Sequence, residues 1–224
     1  MKRLFTGLFL GFFALFFVFY SNDFLFSITL VSILLFSLYE ILKLKVKLNL
    51  FTGIIVFFIF INIILVFIIT ETFSRNLFFT AILISVLADV SALSVGKLFG
   101  KTLIFPKISP NKTLEGFLAG AFFPASFILF FSYLNQFDLK IIQISFQFIE
   151  ISPMLISWGY ILTFILLVFC SVMSIIGDLI ASKTKRLMKI KDFGNLLPGH
   201  GGVLDRIDSH LFCIPFFLYL NSLI

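Results

Sequence analysis

Long unbroken apolar runs alternate along this chain with short polar stretches, and the runs have the length of bilayer-crossing helices. About 20 consecutive apolar residues cross a hydrocarbon core as a helix, and only helices or closed barrels satisfy every backbone group in lipid. The alternation of a barrel strand is absent. The runs predict seven spans at about 4–20, 24–39, 50–70, 77–95, 114–134, 154–176 and 211–224. The last run is the shortest, which suits a tilted or partial segment packed on its neighbours. Lys2 and Arg3 before an apolar run imitate a secretory signal, but the run is long and ends without a small-x-small site, so no cleavage is expected. No repeat or separate soluble region interrupts the pattern. Residues 1–224 therefore read as one all-α, polytopic membrane domain with two informative polar loops, 96–115 and 177–208.

Composition closes off the other classes. With 60% hydrophobic and 12% charged residues, the chain cannot present a soluble enzyme's surface, nor a disordered, collagenous or coiled-coil one. Cys170 and Cys213 lie in apolar runs, where buried, unreactive thiols are expected rather than a disulfide. The net charge of +6 is unevenly spread. With the N-terminus inside, fifteen of the 17 Lys and Arg residues fall on the cytoplasmic face and only Arg75 and Lys140 fall outside. Topology explains most scattered lysines; the remaining basicity suits anionic headgroups or a polyphosphate.

Some polar residues ask for more than topology. Asp89 sits inside the fourth run, where a lone carboxylate costs at least a few kcal/mol unless it is used or neutralised. If the sixth span continues as a helix past Gly177, Asp178, Ser182, Lys185 and Lys189 share one stripe. A solvated surface helix is the plainer reading of those lysines. The turn Pro198-Gly199-His200-Gly201-Gly202 adds glycines that permit positive φ and close backbone approach to phosphate oxygens. Next come Asp205-Arg206-Ile207-Asp208, two carboxylates about one helical turn apart with a guanidinium between them. Such a pair can share divalent cations, and arginine can clamp a phosphate. In the earlier loop Ser109-Pro110 reads as an N-cap and first helical residue, with Lys107 and Lys112 making an anion site of that helix start.

These residues resemble a known family. Ser182-x-x-Lys185-Arg186, Lys191-Asp192 and the run Pro198 to Asp208 look like the signature of the phosphatidate cytidylyltransferases (CDP-diacylglycerol synthases). Asp89, Gly96-Lys97-Leu98-Phe99-Gly100-Lys101 and Pro106 to Gly116 are similar to the same family, so that the resemblance covers roughly the C-terminal two-thirds. Thr184, Ser91, Leu93 and Phe193 depart from its usual residues, and the chain is short for it. The resemblance implies transfer of a cytidylyl group from CTP to phosphatidic acid, releasing CDP-diacylglycerol and pyrophosphate. It implies Asp178, Asp205, Lys185, Arg186 and Asp208 as catalytic residues. Ser182, His200, Gly201, Gly202, Arg206, Lys112, Ser109 and Asp89 would bind substrate. Metal ligands would be Asp178 and Asp205, with Asp208 and Asp192 as alternates, holding Mg²⁺ as two divalent or mixed ions. The implied setting is a bacterial-type inner membrane with the site facing the cytoplasm, no nucleic acid partner, and room for a homodimer. Rival readings are another CTP-dependent lipid enzyme, for ether lipids or polyprenol, and a transporter; the latter predicts inverted repeats.

Overall fold

A computed structural model describes residues 20–44, 49–72, 75–106, 108–134, 159–197 and 201–222, together with Phe16. Seven helices follow one another among these residues: α1 (Asp23–Lys43), α2 (Leu50–Thr72), α3 (Arg75–Phe99), α4 (Leu114–Leu134), α5 (Tyr160–Leu187), the single turn α6 (Leu204–Ile207) and α7 (His210–Ser222). The fold is an all-α membrane protein. Helices α1, α3, α4 and α5 are long and apolar enough to cross a bilayer, while Leu50–Val66 and α7 are shorter apolar helices.

Local chemistry sets the ends. Asn22 opens α1 by accepting the Leu25 N–H at 2.8 Å, and Asp23 and Lys43 stand at the ends where their charges oppose the helix dipole. Asn49 accepts the Thr52 N–H at 2.9 Å at the start of α2. Large apolar side chains such as Phe57, Ile64 and Ile161 point outward, as lipid-facing positions should. Small residues fill the seam between α3 and α4. A Cβ added at Gly116 would stand 2.6 Å from the Ala92 carbonyl oxygen, and one at Gly120 3.0 Å from that of Ala88. Two helices in lipid gain by van der Waals contact, and glycine here lets their backbones meet. Ile84, Ala125, Ile128, Leu167, Cys170 and Phe217 form the interior behind that seam. Cys170 and Cys213 are free and buried.

The spans drawn from hydropathy at 24–39, 50–70, 77–95, 114–134 and 211–224 coincide with α1, α2, α3, α4 and α7 to within four residues at each end. The span at 4–20 lies outside the described residues except for Phe16 and Tyr20. Residues 154–158 of the span at 154–176 lie outside the described residues, and its far end needs correction: α5, from Tyr160, runs on to Leu187. Its last three turns are polar because they face a cavity rather than lipid, so hydropathy alone ended the element too early. The helix then stops one turn short of the predicted stripe. The Ile190 N–H donates to the Lys185 carbonyl and the Lys189 N–H to that of Arg186, a Schellman ending with Lys189 at φ 55°. Lys189 is thus turned off the helix, and the shared face is Asp178, Ser182 and Lys185.

The start of α4 also differs. Ser109-Pro110 lies in a turn, with the Lys112 N–H donating to the Ser109 carbonyl at 3.3 Å. Leu103 and Thr113 pair as an isolated bridge, which folds the loop back on itself, and the Thr113 hydroxyl then accepts the Gly116 N–H at 3.2 Å as the true cap. The long-range pairing outweighs the local Ser-Pro signal. Lys107 lies outside the described residues.

Candidate active site

The polar end of α5 supplies the framework. Asp178 and Lys185, two turns apart, both point into a cavity of about 580 Å³. The other walls come from α3 (Asp89, Lys97), the α3–α4 loop (Lys112), α4 (Gly116, Phe117) and the segment after α5 (Asp192, Asp205, Arg206, Asp208). Leu93, Phe105, Phe117, Ile175 and Leu179 give the same cavity an apolar side. One space therefore offers cations, carboxylates and a lipid-compatible wall.

Lys112, Asp178, Lys185, Asp205, Asp89 and Asp208 have defined neighbours. Lys112 Nζ lies 2.6 Å from Asp178 Oδ2, and the Ser182 hydroxyl donates to Asp178 Oδ1 at 3.3 Å. Lys185 Nζ lies 2.8 Å from Asp205 Oδ1 and 5.3 Å above the Phe193 ring. Asp205 Oδ2 accepts the N–H groups of Phe193 at 2.8 Å and Gly202 at 3.0 Å. Both Asp205 oxygens are thus engaged, and its side chain is only 3% exposed. The Ser209 hydroxyl donates to Asp89 Oδ2 at 3.1 Å, while the Ser209 N–H donates to Asp208 Oδ1 at 2.9 Å. Burial, then the negative charge of Asp178, push the Asp208 carboxyl up to about 8, against the opposing pull of Lys185 and the Ser209 N–H. Asp89 adds to the repulsion.

Glycine makes this closeness possible. A Cβ at Gly177 would stand 2.7 Å from the Asp208 carbonyl oxygen and 2.7 Å from the Phe212 ring, so α5 can touch the α6–α7 corner only without a side chain there. Gly201 takes φ 83°, a left-handed value that glycine adopts without strain.

Of the residues predicted from sequence, Asp89, Lys112, Asp178, Lys185, Asp192, Asp205, Arg206 and Asp208 meet at the cavity. Ser182 reaches it through Asp178. Arg186 instead donates its Nε–H to the Ile108 carbonyl at 3.4 Å, tying α5 to the α3–α4 loop. Ser109 lies in that loop but is not among the residues lining the cavity. His200 lies outside the described residues. Gly201 and Gly202 flank the cavity through their contact with Asp205. Sequence reasoning missed Ser209, Gly177 and Glu40, whose carboxylate accepts the N–H groups of Val203 and Leu204. Ser209 and Gly177 carried a faint signal, being a hydroxyl and a glycine beside named aspartates; Glu40 closed an apolar run and read as a span end.

The departures from the signature are accommodated. Thr184 is fully buried, but its hydroxyl donates to the Ile180 carbonyl at 2.8 Å. Phe193 is buried beneath the Lys185 ammonium. Ser91 donates to the Leu87 carbonyl at 2.6 Å, within its own helix.

Among the described residues no three Asp, Glu, His or Cys side chains form a metal-holding group by themselves. Magnesium does not ask for one, since it is commonly held by one or two carboxylates together with water and substrate phosphates. Asp178 and Asp208 both line the cavity, near enough for the charge of one to raise the other.

A helical membrane protein with a cation-lined, acidic cavity is the class that fold and site define. The chain belongs to the cytidylyltransferase family, whose model matches residues 46–224. It is 38% identical over 135 residues to the phosphatidate cytidylyltransferase of Bacillus subtilis (strain 168), covering 60% of this chain and 43% of that protein. It is 37% identical over 147 residues to the phosphatidate cytidylyltransferase of Staphylococcus aureus (strain COL), covering 65% and 49%. The chain spans about half the length of the curated relatives it matches.

Proposed function

We propose that this protein transfers a cytidylyl group from CTP to phosphatidic acid. The observation that carries the reading is the meeting of Lys112, Lys185 and Arg206 with Asp89, Asp178 and Asp208 around one cavity that also has an apolar wall. A phosphate-monoester oxygen of phosphatidic acid would form a bond to the α-phosphorus of CTP, the bond from that phosphorus to the α–β bridging oxygen would break, and pyrophosphate would leave. The attacking phosphate is already ionised at neutral pH and needs no protein base.

The residues of the chain would bind and orient. Lys185 and Arg206 would neutralise the triphosphate, and Lys112 the lipid phosphate, the two lysines exchanging part of their present carboxylate contacts for phosphate oxygens. Apolar residues such as Phe117 and Ile175 would receive the acyl chains. Asp178 and Asp208 would hold Mg²⁺, which when bound supplies positive charge to phosphate oxygens. The sequence pattern favours Asp205 over Asp208 as the ligand beside Asp178. Because both Asp205 oxygens already have partners, our reading gives Asp205 the aiming of Lys185 and gives the ligand role to the alternate, Asp208.

The deciding experiment supplies purified protein in detergent with CTP, phosphatidic acid and Mg²⁺ and follows CDP-lipid and pyrophosphate. Formation of both is expected in equal amounts. A lipid product carrying only one added phosphate would point to kinase chemistry, and no product to a carrier.

Two further outcomes are expected. Gly177→Ala would push the Asp208 corner off α5, lowering turnover roughly 10- to 100-fold, because misplacement by about 1 Å is enough for such a loss. Steady-state rates of a variant that still runs as a folded monodisperse species would check it, and wild-type rates would free the corner from any such constraint. The site is also expected to face the cytoplasm. Asn195 is exposed, so Asn195→Cys should be protected in intact cells and react with a membrane-impermeant thiol reagent after permeabilisation. Labelling from outside would reverse the orientation.

A further inference from the structure

Glu40, on α1, precedes the residues matched by the family model, yet it accepts two N–H groups of the turn that leads into Asp205. It is 5% exposed, and its carboxylate accepts the Val203 N–H through Oε1 and the Leu204 N–H through Oε2, both at 2.9 Å. Among the described residues no cation is paired with it at ion-pair distance. A buried carboxylate without a counter-cation costs more than an amide or an apolar side chain doing the same packing, so stability alone is a poor reason for it. Its surroundings are shaped for it. Added Cβ atoms at Gly194 and at Gly202 would both run into the Glu40 carboxyl, the second at 2.5 Å from Oε2. Gly202 also donates its N–H to Asp205. The turn from 201 to 205 is therefore gripped by two carboxylates, Glu40 from α1 and Asp205 from within.

We propose that Glu40 is a positioning residue: it fixes the Gly202-Val203-Leu204 backbone, and through that turn the aim of Asp205 and of the Lys185 ammonium that Asp205 holds. The reaction affected is the one proposed above, and the inference rests on that reading for its kinetic part. Gln cannot replace Glu here without cost, because the amide offers one acceptor and presents a donor to the second N–H.

The test compares wild type with Glu40→Gln, Gly202→Ala and the double variant Glu40→Asp with Gly202→Ala. In Glu40→Gln, kcat/KM for CTP is expected to fall roughly 10- to 100-fold, as when an orienting partner of a functional group is lost, with KM for phosphatidic acid held within about twofold. Gly202→Ala should lose activity through its clash with Glu40, and shortening that acid to Asp should restore part of it. Hydrogen–deuterium exchange in detergent gives a readout independent of catalysis: amides of residues 201–205 should exchange faster in Glu40→Gln while those of α5 keep their protection. Unchanged exchange with wild-type CTP kinetics would overturn the proposal, as would equal loss for both substrates accompanied by deprotection of α5, the mark of general unfolding. Should wild type make no CDP-lipid, the cytidylyl-transfer reading fails, and the exchange result alone still decides whether Glu40 holds the turn.

Discussion

Replacing Asp208 by asparagine is expected to end turnover and, in the metal-free protein, to raise the melting temperature. The two effects share one cause. In the fold this carboxyl is pushed up to about 8 by burial and by Asp178, whereas an unfolded aspartate titrates near 3.9. A raised carboxyl binds its proton more tightly when folded, so its contribution grows less favourable as pH rises from about 4 to about 8 and is level above that. The loss is on the order of a few kcal/mol at neutral pH, as several pK units require. The substituted amide carries no such charge, so the variant should keep its stability across that window while wild type weakens. Melting in detergent and chelator at pH 5 and pH 8, beside CDP-lipid formation, makes the comparison. A variant no more stable than wild type at pH 8 would show that Asp208 is adequately compensated as it stands; a variant with wild-type turnover would remove it from the reaction.

Chelation is expected to have the other large effect. With EDTA, CDP-lipid formation should drop below roughly one-thousandth of its rate, equivalent to several kcal/mol of lost charge stabilisation, and return with Mg²⁺ or Mn²⁺. Ca²⁺ should restore little, since its longer, looser coordination holds phosphate oxygens less exactingly. Mg²⁺ with CTP should also raise the melting temperature of wild type but not of Asp208→Asn, a result read without any turnover. Full activity in metal-free micelles would strike the cation from the proposed chemistry. A fold that stays intact but inactive with every metal would turn attention back to a carrier.

How far the sequence could be read depended on the range of the interactions involved. Helices α1, α3 and α4 were legible because each is one long apolar run, and lipid leaves such a run no other structure. The far end of α5 was not, because hydropathy measures attraction to lipid and those turns face a cavity. Asp178, Lys185, Asp205 and Asp208 were legible as a group because polar residues that costly near a bilayer need a use. Their individual contacts were not. That Asp205 spends both oxygens on Lys185 and the Phe193 and Gly202 amides follows from how those residues fold back onto α5 and from no spacing rule. Glu40 was the least visible, since the turn it grips lies 163 residues further along the chain. The Ser109-Pro110 signal shows the reverse error, a sound local preference overridden when Leu103 and Thr113 paired across the loop.

That separation between Glu40 and its turn also bears on how the protein is made. Helices enter the membrane in the order in which the ribosome releases them, and α1 with its buried acid arrives long before the amides that satisfy it. Asp89 likewise precedes the Ser209 hydroxyl that donates to it by some 120 residues. Until the segment from 201 to 209 emerges, the half-built protein carries unanswered acids at the membrane, where each is costly. Docking of α6 and α7 relieves them together. Residues 203 to 209 thus complete the partnering of acids placed far earlier in the chain, and a nascent chain stalled before them would leave Glu40 and Asp89 without those partners.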